Sequence, residues 1–193
     1  MTASVELSVV ILCYREGQRV RNIVPKVIDL LEAITPFWEI VLVGNYFENA
    51  NDETPHVVQE LATKDPRIVA VAQPKLGMMG WDARSGLEKA LGRHICLIDG
   101  DEQMPWEDIV RVYEKIKKED LDLVLPRRDK RDDGMGRVLN SFLFNGLTRF
   151  LFPGIEIKDI NSKPKVFTRD AYEKMSLSSN DWFLDAEIII QSR

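Results

Sequence analysis

The 193-residue chain has only 2 cysteines and no apolar run long enough to span a bilayer. Cys13 and Cys96 both fall in apolar stretches that read as buried strands, so free thiols in a reducing compartment are expected rather than a bridge. The N-terminal "MTASVELSVVILCYREG" meets charge too early for a secretory signal. A basic excess is lacking too, and a net charge of -5 argues against a groove that neutralises nucleic-acid phosphates. Neither Gly-x-x-x-x-Gly-Lys-Ser/Thr nor Gly-x-Gly-x-x-Gly follows the first apolar run, which leaves P-loop and dinucleotide-dehydrogenase readings without support. No internal repeat or low-complexity linker interrupts the chain. A cytoplasmic location is expected, with any membrane contact, at the cytoplasmic face, either peripheral or through a missing segment.

What is present is a globular composition, 45% apolar and 30% charged, in a length that suits one domain with a sizeable core. Strand and helix patterns alternate. Strands are predicted at 5–14, 38–44, 67–73, 94–99 and 121–126, and helices at 17–34, 52–65, 80–92 and 105–120. Pro25 is expected near the first turns of its helix, and Gly92 at the close of the third. This rhythm implies an α/β domain with a mostly parallel sheet and helices on both faces. Ligands of such sheets bind beyond the carboxyl ends of the strands, so loops 14–17, 44–52, 99–104 and 126–134 should share one edge. The last third differs. Residues 136–157 read as a Phe- and Leu-rich amphipathic helix, 163–170 as a short strand and turn, and 182–193 as a helix in which the chain stops. That stop leads us to expect one domain over 1–193 whose C-terminal part is missing.

The stretch "HICLIDGDEQMP" (94–105) places two carboxylates and an amide at the tip of a buried strand. In extended backbone Asp99 and Asp101 point to the same side, which suits a hard divalent cation, Mg²⁺ or Mn²⁺. Gln103 joins them if the backbone stays extended, Gly100 allows close approach, and Glu102 points the other way. A cation held by so few protein oxygens keeps positions for substrate phosphates. The same residues also make a plain solvated turn capping the helix near Pro105.

Four blocks, in order, resemble the family 2 glycosyltransferases of the GT-A fold, and among them the dolichol-phosphate mannose synthase-like or polyprenyl-phosphate branch. They are "SVVILCYREG", "RSGLEKALGRHICLIDGDEQMPWEDI", "DINSKPKVFTRDAYEKM" and "WFLDAEII". The resemblance implies a Rossmann-like nucleotide-diphospho-sugar transferase fold and an inverting hexosyltransferase. By this likeness Leu12, Tyr14, Glu16, Asn45, Asp99 and Gly100 face the nucleotide sugar, and Asp101, Gln103 and Asp99 face the metal. Arg128 and Arg137 match arginines that hold donor or acceptor phosphate, and Ser162 with Lys165 lies in the segment closing the acceptor side. Asp99, Asp101, Arg128 and Glu187 are then the catalytic candidates, Glu187 being preferred to Asp185 as a base should the acceptor be a hydroxyl.

Departures from the family pattern are specific. Gly44 and Asn45 replace the acids that usually end the second strand, Leu12 replaces Pro, Arg15 replaces Asn, Met79 stands where Lys or Arg is frequent, and "NSKPK" lacks the Gly after Ser162. The expected function is metal-dependent transfer of a sugar from a UDP- or GDP-linked donor to an acceptor such as a polyprenyl or dolichyl phosphate. The main alternative is a non-catalytic nucleotide-sugar-binding domain on the same fold. A sugar-phosphate nucleotidyltransferase ranks behind both, because its Gly-rich loop after the first strand is absent.

Overall fold

A computed structural model describes residues 4–126 and 159–192. The strands are β1 (Leu7–Leu12), β2 (Trp38–Val43), β3 (Ile68–Val71), β4 (His94–Asp99), β5 (Leu123–Val124) and β6 (Lys165–Thr168). The helices are α1 (Val20–Glu32), α2 (Thr54–Lys64), α3 (Met79–Leu87), α4 (Glu107–Glu119), α5 (Arg169–Lys174) and α6 (Leu184–Gln191). They form one six-stranded sheet in the order β3-β2-β1-β4-β6-β5.

Central β1 is buried along its whole length, which is why its sequence runs apolar without alternation. Leu7, Val9, Ile11 and Cys13 pack toward α1, α2 and α4, whereas Val10 and Leu12 pack toward α3, α5 and α6. Helices therefore cover both faces, as the alternating pattern implied. The free thiols of Cys13 and Cys96 are fully buried, and burial pushes both well above the ordinary thiol range.

The pairing of β4 with β6 is where the order of the chain misleads. β1, β2, β3 and β4 are mutually parallel, but β6 inserts antiparallel beside β4 and β5 pairs only with β6. The sheet is mixed, and the start of β6 meets the same edge as the end of β4. Short elements also moved. α3 stops at Leu87 rather than running to Gly92, because the Leu91 N–H donates to Glu39 Oε1 and the Gly92 N–H to Ser8 Oγ. Those side-chain acceptors pull the chain off the helix axis. Pro25 is the sixth residue of α1, inside the helix, where it leaves the Arg21 carbonyl without its usual donor; it is exposed, so water can take that place. α5 was not anticipated; Thr168 caps it, its Oγ1 accepting from the Ala171 N–H at 3.1 Å. The amphipathic helix expected at 136–157 lies outside the described residues. Among the described residues no helix is long and apolar enough to cross a membrane.

Away from the ligand edge, Glu6 ties β1 to α4. It accepts from Tyr113 Oη and Lys117 Nζ, both at 2.6 Å, and from Thr35 Oγ1 at 2.8 Å. Lys117 and then Tyr113 lower its pKa from 4.5 to about 2, against a smaller opposing effect of burial. A depressed folded pKa means stability that is present above pH 4.5 and lost as pH falls toward 2. Glu6→Gln is expected to remove about 1 kcal/mol at pH 7, discounted for partial exposure. Its melting temperature should change less than that of the parent between pH 5 and pH 2.5. Identical pH profiles for the two proteins would refute this.

Candidate active site

The ends of β1, β2 and β4 are brought together by register. Leu12 pairs with Val43 on one side and with Asp99 on the other. The Cys13 N–H donates to the Val43 carbonyl at 2.8 Å, and the Gly100 N–H to the Leu12 carbonyl at 2.9 Å. A Cβ at Gly100 would sit 3.0 Å from that same Leu12 oxygen, a tight contact that any side chain here could relieve only by shifting the backbone a few tenths of an ångström. The Leu12 side chain itself is buried in the core, so its contribution to this edge is a carbonyl.

Past Gly100 the backbone turns. Glu102 adopts a positive φ of 56°, and Asp101 Oδ1 accepts the Gln103 N–H at 3.1 Å. Extended alternation thus ends with β4 at Asp99; Gly100 and Asp101 already lie in a bend, and Gln103 is tied to Asp101 by the turn. Glu102 leaves in another direction, pairing with Lys26 at 2.7 Å. Glu16 lies close by with its carboxylate nearly enclosed; burial raises its pKa, and Asp101 and Glu102 add to the rise. Among the described residues no three Asp, Glu, His or Cys side chains converge on one point. The exposed carboxylate of Asp101 nevertheless fits Mg²⁺ or Mn²⁺, which is held through as few as one protein carboxylate and completes its shell with phosphate oxygens and water.

Tyr14 and Phe47 make an aromatic rim at the mouth, edge to face with centroids 6.2 Å apart. The Lys75 ammonium lies 4.3 Å from the Tyr14 ring centre and 5.5 Å from that of Phe47. Beneath them, Lys75 is hydrogen-bonded to buried Asp82, whose pKa burial raises while Lys75 and Asn45 oppose the rise. Asn45 is 1% exposed and committed inside the protein. Its amide donates to Asp82 and Ser85, and its oxygen accepts the Gln73 N–H. The expectation that Asn45 faces the nucleotide sugar is corrected: it braces α3 against the sheet, a task its two-sided amide suits.

Two further expectations are corrected. Glu187 is nearly buried, and its carboxylate accepts from the Ser178 N–H and Oγ and the Ser179 N–H, at 2.9–3.1 Å. These bonds lower its pKa despite burial, and they shape the loop whose Asn180 carbonyl receives the Met78 and Trp81 N–H groups. Ser162 is fully buried and donates to the Pro126 carbonyl at 2.7 Å, which ties the start of β6 to the end of β5. Arg128 and Arg137 fall outside the described residues.

A charged chain missing from the sequence reading runs from Asp99 into the core. Lys163 Nζ is 2.9 and 3.1 Å from the two Asp99 oxygens and 3.5 Å from Asp185 Oδ2. Lys165 Nζ is 2.6 Å from Asp185 Oδ1 and 2.9 Å from the Ser162 carbonyl. Burial works against the Lys163 charge, but Asp185 and Asp99 outweigh it and raise its pKa. Lys165 and Lys163 likewise hold Asp185 below the usual carboxylate range in spite of burial. The sequence signal was the lysine where the family pattern has glycine after Ser162.

The profile of Glycosyl transferase family 2 matches residues 8–176. Glycosyltransferase AglD of Haloferax volcanii is 28% identical over 99% of this chain and 31% of its own length. Dolichyl-phosphate beta-glucosyltransferase ALG5A of Trichomonas vaginalis is 25% identical over 99% of the chain and 62% of its own. The chain thus spans between about a third and under two thirds of these relatives. In fold it resembles glucosyl-3-phosphoglycerate synthase of Mycobacterium tuberculosis, solved with Mn²⁺, UDP and phosphoglyceric acid (TM-score 0.66, 17% identity, 90% of this chain and 59% of that one). It also resembles the mannosyltransferase PcManGT of Pyrobaculum calidifontis, solved with GDP-Man and Mn²⁺ (TM-score 0.63, 16% identity, 96% of this chain and 51% of that one). With the fold that of the GT-A enzymes and the family profile covering most of its length, the chain belongs to the family 2 glycosyltransferases.

Proposed function

We propose that this domain transfers a sugar from a UDP- or GDP-linked donor, bound at the β1, β2 and β4 edge, to a polyprenyl phosphate. The observation that carries this is the tip of β4, where Asp99 and Asp101 flank a glycine locked against Leu12. Solved proteins of the same fold hold Mn²⁺ with UDP or GDP-mannose, and a curated relative is named for a dolichyl-phosphate acceptor. Asp101 with Gln103 holds a divalent cation, and Asp99 stands beside it toward the donor ribose. When bound, that cation supplies positive charge to the departing diphosphate. Tyr14, and Phe47 across from it, offer a ring surface to the nucleobase, and Glu16 faces the nucleoside. Arg128 and Arg137 contact phosphate, a role resting on the family resemblance alone.

The acceptor assignment has a structural argument. Glu187 is committed to its loop, and Asp185 is buried between two lysines, so neither late acid stands free as a general base. A phosphate acceptor already carries its nucleophilic anion and needs none. Its lipid tail would bring the domain to the cytoplasmic face of a membrane.

Calorimetry with UDP and with GDP, each with and without Mn²⁺, tests donor binding. Turnover is then compared with polyprenyl phosphate and with hydroxyl acceptors. Metal-assisted binding of one nucleotide and transfer to the lipid phosphate are expected. Binding without turnover on any acceptor would favour a non-catalytic binding domain, and no binding of either nucleotide would refute the donor site.

A further inference from the structure

The two aspartates of the β4 tip are electrostatically unequal. Asp99 is met from below by Lys163, which is 3% exposed and reaches both carboxylate oxygens. Asp101 instead meets only the Gln103 backbone N–H among the described residues. Geometry explains the difference. Leu97 pairs with Lys165 across the antiparallel β4–β6 ladder, so two residues further along β4 comes Asp99 and two residues back from β6 comes Lys163. A lysine at that depth loses rotamer freedom and hydration, and the site keeps it charged by giving it Asp185 as a second partner. Asp185 is itself neutralised by Lys165, so the four groups Asp99, Lys163, Asp185 and Lys165 balance without any ligand.

A divalent ion approaching the tip therefore meets one free carboxylate and one whose charge is already matched by an ammonium 2.9 Å away. We propose that Lys163 is a positioning residue, a built-in counter-cation that holds Asp99 out of the metal shell. The tip then binds a divalent ion weakly by itself and firmly only when a nucleoside diphosphate contributes phosphate oxygens. Metal and donor are thereby coupled, and metal loading without donor is suppressed. This inference rests on the donor-site reading above.

The test is Mn²⁺ binding to the full chain without nucleotide, followed by electron paramagnetic resonance and calorimetry at low ionic strength. Lys163→Met removes the counter-cation, and Mn²⁺ affinity should rise about fivefold or more. Lys163→Arg keeps the charge and should stay within about twofold of the parent. A lysine that merely supports the fold predicts the opposite sign, because a loosened site binds metal less well. Unchanged or weaker Mn²⁺ binding in folded Lys163→Met overturns the proposal. Should that variant not fold, Lys163→Met combined with Asp99→Asn decides. Both charges of the pair then go together, so nucleotide-free Mn²⁺ affinity is expected to stay within about threefold of the parent, and a loss above about tenfold identifies Asp99 as an ordinary free ligand. If the parent binds no Mn²⁺ with or without UDP or GDP, the donor-site reading fails and this inference with it. Binding in the parent with no rise in Lys163→Met overturns this inference alone.

Discussion

Replacing Asp101 with alanine is expected to lower sugar transfer by about a hundredfold or more, equivalent to about 2.7 kcal/mol of transition-state stabilisation. Asp101 is the exposed carboxylate of the β4 tip, and no lysine competes for it among the described residues. Without it, the negative charge gathering on the leaving diphosphate loses the cation that should neutralise it. The fold should scarcely notice, since the side chain faces solvent and, among the described residues, its only hydrogen bond closes a turn. Glu102→Ala is the control. That acid is adjacent but turned toward Lys26, so its loss should leave turnover within about threefold, as a surface ion pair is worth little. Transfer rates measured with Mg²⁺ and with Mn²⁺, alongside melting temperatures, check both expectations. Undiminished turnover in Asp101→Ala would sink the metal role of this residue.

Asp185→Ala is expected to destabilise the domain by about 3–5 kcal/mol, the usual cost of removing one partner from a buried ion pair. Lys165 is fully buried, and Asp185 Oδ1 at 2.6 Å is its carboxylate partner. The variant would leave that ammonium with the Ser162 carbonyl alone and would deprive Lys163 of its inner partner. Urea unfolding should show a lower midpoint with an unchanged slope. Combining Asp185→Leu with Lys165→Met should recover more than half of the loss, because removing both charges leaves nothing buried and unpaired. A shift below about 1 kcal/mol for Asp185→Ala would mean that water reaches Lys165, contrary to the packing described.

These two variants mark the line between what was readable in residue order and what was not. Asp101 was legible as an exposed acid, because an apolar run ending in Asp-Gly-Asp says where a strand leaves the core. Asp185 was visible as an acid in a family-like block, yet nothing along the chain showed that it is buried between two lysines. Glu187 looked the better catalytic candidate for want of any sign that the backbone of Ser178 and Ser179 would claim it. Asn45 was misjudged for the same reason, since its partners Gln73, Asp82 and Ser85 lie 28 to 40 residues away.

The sequence by itself determined the α/β class, the two-sided helical cover, the shared edge where β1, β2 and β4 end, and the family. Each is written in local signals: hydrophobic period, strand-end acids and the order of four short blocks. Only the tertiary structure decided that β6 runs antiparallel beside β4, because strand pairing joins residues some seventy positions apart and depends on which edge remains open. That one pairing sets Lys163 under Asp99, and with it the charge balance of the site.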